Sequence, residues 1–130
     1  MSKTYITIVA VSADDHKKIY GYYTLSAGYL ECDQLSEIVK VKLPKYPIPS
    51  ARIGRLAVDK DYKGQGIGGF LLHDAFTNVL SIADKMGIFA VVVDAKNDDA
   101  KSFYENYGFT ELQDSELTLF LPISTIKSAV

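Results

Sequence analysis

Two short stretches carry residues whose types and spacing can do chemistry. The first is YKGQGIGGF, residues 62–70, which holds the glycines Gly64, Gly66, Gly68 and Gly69. Glycines at the entrance to a helix let backbone N–H groups converge on an anion, and the helix terminus adds about half a positive charge. The chemistry this suggests is phosphate binding. The second is NDDAKSFYENYGF, residues 97–109, in which Tyr104 offers a phenol. A phenol can donate a hydrogen bond or pack among apolar neighbours. Tyr104 also belongs to the apolar stripe Ala100, Phe103, Tyr104 and Tyr107 at helical spacing. On the stripe alone it reads as a core aromatic.

The glycine loop fits several phosphate-binding patterns. Gly64, Gly66 and Gly69 match the dinucleotide pattern G-x-G-x-x-G, but the polar run DKDYK separates them from the preceding strand. Too few parallel strands remain downstream for a doubly wound sheet. Gly64 and Gly69 also keep P-loop spacing. That reading is excluded because Phe70 and Leu71 stand where a Lys and a Ser or Thr must reach phosphate and magnesium.

These residues need elements to hold them. Residues 4–11 and 18–27 are rich in Ile, Val, Thr and Tyr around a polar turn and predict an antiparallel hairpin. Residues 31–42 and the proline-rich LPKYPIP that follows predict an irregular connection, then a strand over 51–58. Residues 66–86 predict the clearest helix. Its polar stripe is His73, Asp74, Thr77, Asn78, Ser81, Asp84 and Lys85, and the rest of its circumference, Phe70, Ile82 and Met86 included, is expected to pack on a sheet. Gly87 ends that helix, and the continuous apolar run 88–95 reads as a strand buried on both faces. Strand, helix and strand of these lengths make a parallel crossover. Asn97 caps a second helix, and a closing hairpin turns around Asp114 and Ser115. The expected fold is α/β, a mixed and mostly antiparallel sheet of about seven strands around a central parallel β-α-β crossover with flanking helices.

Composition limits the function. The chain has 130 residues, 48% of them apolar, with a formal net charge of −2, which fits one globular domain (1–130) rather than a surface built wholly for nucleic acid. Cys32 is the only cysteine, and His16 and His73 are the only histidines, so no disulfide and no metal site is implied. No run approaches the ~20 apolar residues of a membrane span, and the expected compartment is the cytoplasm.

Lys63-Gly64-Gln65-Gly66-Ile67-Gly68 resembles the Q/R-x-x-G-x-G/A signature of the GNAT superfamily of acetyl-CoA-dependent N-acetyltransferases, with Lys63 in place of the usual Gln or Arg. RLAV, residues 55–58, is similar to the GNAT strand that pairs with the pantetheine arm, and residues 97–109 are similar to the family's N-x-x-A-x-x-F-Y-x-x-x-G-F. More narrowly, GYYTLSAG and the stretch from YPIPSARIGRLAV onward resemble the GNAT toxins of bacterial toxin–antitoxin pairs. Those toxins usually begin with a further segment forming the first helices, and this chain opens on the hairpin.

The resemblance implies a set of roles. Tyr104 would protonate the CoA sulfur, and a backbone N–H near Leu56 or Ala57 would meet the thioester carbonyl. Leu56, Ala57, Val58, Lys63, Gly64, Gln65, Gly66, Ile67, Gly68, Gly69, Asn97, Phe103 and Tyr104 would line the acetyl-CoA site. The implied partners are aminoacyl-tRNA, a ribbon-helix-helix antitoxin and a second copy of the chain. Lys40, Lys42, Lys45, Arg52, Arg55, Lys60 and Lys63, with Tyr46 and Tyr62 among them, make a candidate phosphate-facing patch, and Arg52 and Arg55 are the candidate substrate-binding residues. No general base stands out; Glu31 and Glu37 are unplaced. That favours an α-amine acceptor, which titrates near 8, over a lysine near 10.4. A small-molecule or peptide acetyltransferase and a CoA-binding module without turnover are the alternatives.

Overall fold

The β-branched and aromatic N-terminal segments pair as expected. In the computed structural model, which describes residues 5–15, 17–31, 47–113 and 115–129, β1 (Tyr5–Val11) runs antiparallel to β2 (Ile19–Leu30). There follow β3 (Ile48–Val58), α1 (Ile67–Met86), β4 (Ala90–Asp94), α2 (Asp98–Glu105), β5 (Thr110–Leu112), β6 (Ser115–Pro122) and α3 (Ile123–Ala129). His16, Cys32, Glu37, Lys40, Lys42, Lys45, Tyr46 and the Asp114 turn lie outside the described residues.

The strands form one mixed sheet in the order β1-β2-β3-β4-β6-β5. Among the described strands only β3 and β4 are parallel, with α1 as the crossover between them. The fold class matches the expectation. The described residues hold six strands rather than about seven, because each of their extended apolar segments supplies one and none is left over.

β4 explains why the sheet is buried on both faces. Ala90, Val91, Val92 and Val93 are all fully buried. Val91 and Val93 join Ile53, Leu71, Leu72, Val79 and Leu119 in the core under α1, while Ala90 and Val92 face the opposite way toward Leu30, Ile48 and Phe120. Alternation along a central strand sends its side chains into two cores at once.

Three local readings need correction. β3 begins at Ile48, so Pro49 lies inside a strand rather than in an irregular connection. Its carbonyl still accepts from Phe89 N–H at 2.9 Å, and its missing donor is tolerated because the parallel partner starts only at Ala90. Phe70, Ile82 and Met86 are exposed rather than packed, since a helix lying on one sheet buries a single stripe, here Leu71, Leu72, Ala75, Val79 and Ala83. The helix α3 was not anticipated from ISTIKSA, whose β-branched residues are poor helix formers. Burial of Ile123 and Ile126 holds it, together with Lys127, which donates to Asp84 of α1 at 2.7 Å.

Candidate active site

β3 and β4 pair only from Ser50 and Ala90 to Ile53 and Val93. Beyond that point β3 runs on to Val58 paired with β2 but not with β4, and a cleft opens between β3 and β4. The cause is local. Tyr23 stands opposite Leu56 and Leu25 opposite Ile53, so Thr24 faces two residues, Gly54 and Arg55. This is a β-bulge, which bends the strand that carries it. The Arg55 N–H donates to Thr24 Oγ1 at 3.0 Å. A Cβ on residue 54 would lie 2.9 Å from that same oxygen, which is why glycine occupies the bulge.

The bulge also changes which way β3 points its backbone. Before it, Pro49 presents its carbonyl toward β4. After it, Arg55 and Asp59 send their N–H groups toward β2, to Thr24 Oγ1 and to the Tyr20 carbonyl. Alternation then leaves Leu56 and Val58 with their N–H groups aimed into the cleft.

At the head of the cleft, Gly64 and Gly66 adopt the left-handed region, with φ of 83° and 80°. Gly66 is the N-cap of α1 and supplies no side-chain cap. Phe70 N–H is the first to bond back, to the Gly66 carbonyl at 3.0 Å. The N–H groups of Ile67, Gly68 and Gly69 therefore have no partner within the helix. Gly68 and Gly69 serve a different purpose: a Cβ on the first would sit 3.4 Å from Phe103 Cζ, and on the second 2.3 Å from Tyr107 Oη. Their lack of side chains leaves room at the start of α1 for Phe103 of α2 and for Tyr107 just after it. Tyr62, just before the loop, is held edge-on against Tyr20 with the Lys18 ammonium over its ring.

These elements enclose a cleft of about 530 Å³. Leu56, Ala57 and Val58 line it from β3, Lys63, Gly64, Gly66, Ile67, Gly68 and Gly69 from the loop, and Asn97, Phe103 and Tyr104 from α2. Gln65 is exposed and does not line it. Asn97 also caps α2, its side chain accepting from Ala100 N–H at 2.9 Å. A second groove, of about 380 Å³, meets the first at Leu56, Ala57, Lys96, Ala100 and Tyr104. A third, of about 450 Å³, runs out over β1 and β2 and carries Arg52 and Arg55 with Tyr5 and Tyr22.

Tyr104 stands at the junction. Its ring packs against Phe103 and Phe109 and is 5% exposed. Its hydroxyl takes no hydrogen bond among the described residues, and no fully buried side-chain oxygen is left unpaired, so the hydroxyl opens on the grooves. Burial, and secondarily the nearby Asp94 carboxylate, pushes its pKa up to about 12. It stays protonated at neutral pH.

Residues 5–111 match the acetyltransferase (GNAT) domain. The chain belongs to the GNAT acetyltransferase family. It is 31% identical over 131 residues to a probable toxin TacT of Sinorhizobium fredii, covering 95% of this chain and 72% of that protein. It is 30% identical over 113 residues to a tRNA-acetylating toxin of Mycobacterium tuberculosis, covering 87% of this chain and 68% of that one. The solved structure of AtaT complexed with acetyl-methionyl-tRNAfMet superposes with a TM-score of 0.87 at 32% identity, over 95% of this chain and 74% of that one. A mutant AtaT bound to the C-terminus of the antitoxin AtaR and acetyl-CoA superposes with a TM-score of 0.72 at 32% identity, over 87% of this chain and 66% of that one.

The GNAT cleft of this chain includes residues that the sequence reading passed over. Tyr107, in sequence one more member of the apolar stripe, is 45% exposed and lines the large cleft. Lys96 lines both grooves that meet at Tyr104. Arg52 is not a free cation, because its guanidinium pairs with Asp94 at the end of β4. Arg55 makes no ion pair among the described residues. On the far side of β2 the Tyr23 hydroxyl donates to Asp74 Oδ2 at 2.5 Å and accepts from Asn78 Nδ2 at 2.7 Å. Two members of the polar stripe of α1 are thereby turned inward, and they fix the helix to the strand opposite Leu56. Only a tertiary fold could reveal these contacts, since the partners lie 51 and 55 residues apart.

Proposed function

We propose that this chain transfers the acetyl group of acetyl-CoA to the α-amine of an aminoacyl-tRNA; the proteins it resembles include a tRNA-acetylating toxin and AtaT, solved with acetyl-methionyl-tRNAfMet. The observation that carries the reading is the meeting of two grooves at one phenol and one unpaired backbone N–H. The large cleft has the uncapped α1 terminus and Lys63 at its head, which suit a diphosphate, and the free backbone of β3 along its wall, which suits an extended amide-bearing arm. When bound there, acetyl-CoA supplies an activated acyl group. In this reading the Leu56 N–H polarises the thioester carbonyl, and the Tyr104 hydroxyl protonates the departing thiolate.

The acceptor side suits a charged nucleic acid end. Arg55 makes no ion pair among the described residues, and Lys96 and the exposed ring of Tyr5 flank the grooves that lead to Tyr104. Cations position a phosphate backbone, and aromatic faces stack on unpaired bases. AtaT has been solved with the antitoxin AtaR, and we propose an antitoxin partner and a cytoplasmic site of action for this chain too.

The test is transfer of labelled acetyl from acetyl-CoA to a panel of charged tRNAs. Acetylated aminoacyl-tRNA is the expected product. Transfer to small amines with none to any charged tRNA overturns the substrate class.

A further inference from the structure

One carboxylate in the acceptor region has no part in the chemistry described so far. Asp94 lines the groove of about 380 Å³ in company with Arg55, Lys96 and Tyr104. Among the described residues it is the only acidic one lining either acceptor-side groove, whereas Arg52, Arg55 and Lys96 are all cations. It lies where β4 ends and the cleft begins, so the bulge in β3 is what exposes it.

Asp94 is also held firmly. Arg52 donates to one carboxylate oxygen, and Thr118 Oγ1 donates to the other at 3.0 Å; Thr118 itself receives the Ser115 hydroxyl at 2.9 Å. An ionised carboxylate accepts about four hydrogen bonds. Two of those positions are taken, and the side chain is 46% exposed. The remaining capacity faces the groove, near enough to Tyr104 to act on its ionisation.

We infer that Asp94 binds the acceptor's ammonium and sets the preference for an amine over an isosteric alcohol. The inference rests on the acetyltransferase reading and deepens it. An aminoacyl ester of RNA carries a single positive charge at its tip and many negative charges behind it. The groove offers both signs of charge: one fixed carboxylate with open acceptor positions for the ammonium, and Arg55 and Lys96 lining the same groove for the phosphates, with Arg52 holding the carboxylate in place. The proton balance is simple. As the N–C bond forms, the thioester C–S bond breaks and its electron pair leaves on sulfur. Of the ammonium's three protons, one stays on the new amide. One goes to solvent by way of Asp94. One refills the Tyr104 phenol after the phenol has protonated the thiolate.

The test compares affinities for one tRNA carrying either its α-amino acid or the corresponding α-hydroxy acid, without acetyl-CoA. The native protein is expected to prefer the amine form by about tenfold, the scale of one charge-assisted hydrogen bond. Asp94→Asn should bind both forms equally while acetyl-CoA affinity stays within about twofold, and Asp94→Glu should restore part of the preference. A role confined to packing or to Arg52 would weaken both forms alike and leave the ratio unchanged. That outcome, or the absence of any preference in the native protein, overturns the assignment. Failure to acetylate any charged tRNA sinks the tRNA reading alone. The comparison then passes to small primary amines and their alcohols, where a preference that Asp94→Asn leaves intact overturns the assignment equally.

Discussion

Replacing Tyr104 by Phe separates catalysis from packing more cleanly than any other change in this fold. The ring is buried against Phe103 and Phe109, so Phe keeps every apolar contact. The hydroxyl bonds to nothing among the described residues and opens on the grooves, so no buried partner is orphaned. Stability at neutral pH should therefore change by no more than about 0.5 kcal/mol. The rate should fall by ~10²–10⁴-fold, equivalent to about 3–5 kcal/mol of barrier, the usual worth of a positioned acid. Alkaline pH supplies an independent check. Burial raises the folded pKa of Tyr104 from 10.0 to about 12, so the unfolded phenol ionises first. The neutral phenol thus contributes stability that is fully present below pH 10 and lost as pH rises through 12. The loss amounts to about 3 kcal/mol, and the variant should escape it. The assay is thiol release from acetyl-CoA in the presence of acceptor, alongside urea unfolding at pH 7.5 and at several values between pH 9 and 12. A variant that keeps its rate within about threefold, or that unfolds far more easily at neutral pH, refutes the reasoning.

Two further outcomes follow from the same geometry. Tyr23→Phe removes a hydroxyl that donates to Asp74 and accepts from Asn78, so it should cost about 1.5–3 kcal/mol. The urea midpoint should drop with an unchanged m value while acetyl-CoA affinity is kept; an unchanged midpoint would show that the network holds nothing. Gly66→Ala meets no atom within 4 Å but must hold φ near 80°, so the strain, about 1–2 kcal/mol, is purely backbone. Relaxation of the loop should weaken acetyl-CoA binding by about fivefold in calorimetry. An unaltered dissociation constant would remove the glycine loop from the coenzyme site.

The legible parts of this fold were those that repeat a local rule. Helix α1 announced itself by its stripe, Gly87 by its place after the last apolar residue, Asn97 by the acids that follow it, and β4 by an unbroken apolar run. The glycine loop was legible because two of its glycines answer a backbone need and two a packing need, and both needs leave the same letter in the sequence. What stayed hidden depends on pairs of residues remote in the chain. Asp94 ends a buried strand and reads there as a boundary residue. Arg52 reads as a free cation until Asp94 is placed beside it. Tyr23 reads as one more aromatic in an alternating strand until Asp74 and Asn78 turn toward it.

The bulge at Gly54 shows how far one hidden residue can reach. In an unbroken strand the alternation that sends the Pro49 carbonyl toward β4 would send the Arg55 N–H to that side too, and Leu56 would bond back to β2. Instead, one extra residue opposite Thr24 inverts the sequence, so that Arg55 bonds to Thr24 and Leu56 is left free. The same insertion bends β3 away from β4, giving that freed N–H a space to face and uncovering Asp94 on the opposite wall. Cleft, donor and carboxylate are thus three consequences of a single pairing irregularity. In the sequence it amounts to a glycine two residues after an arginine and one before another, which no periodicity marks out.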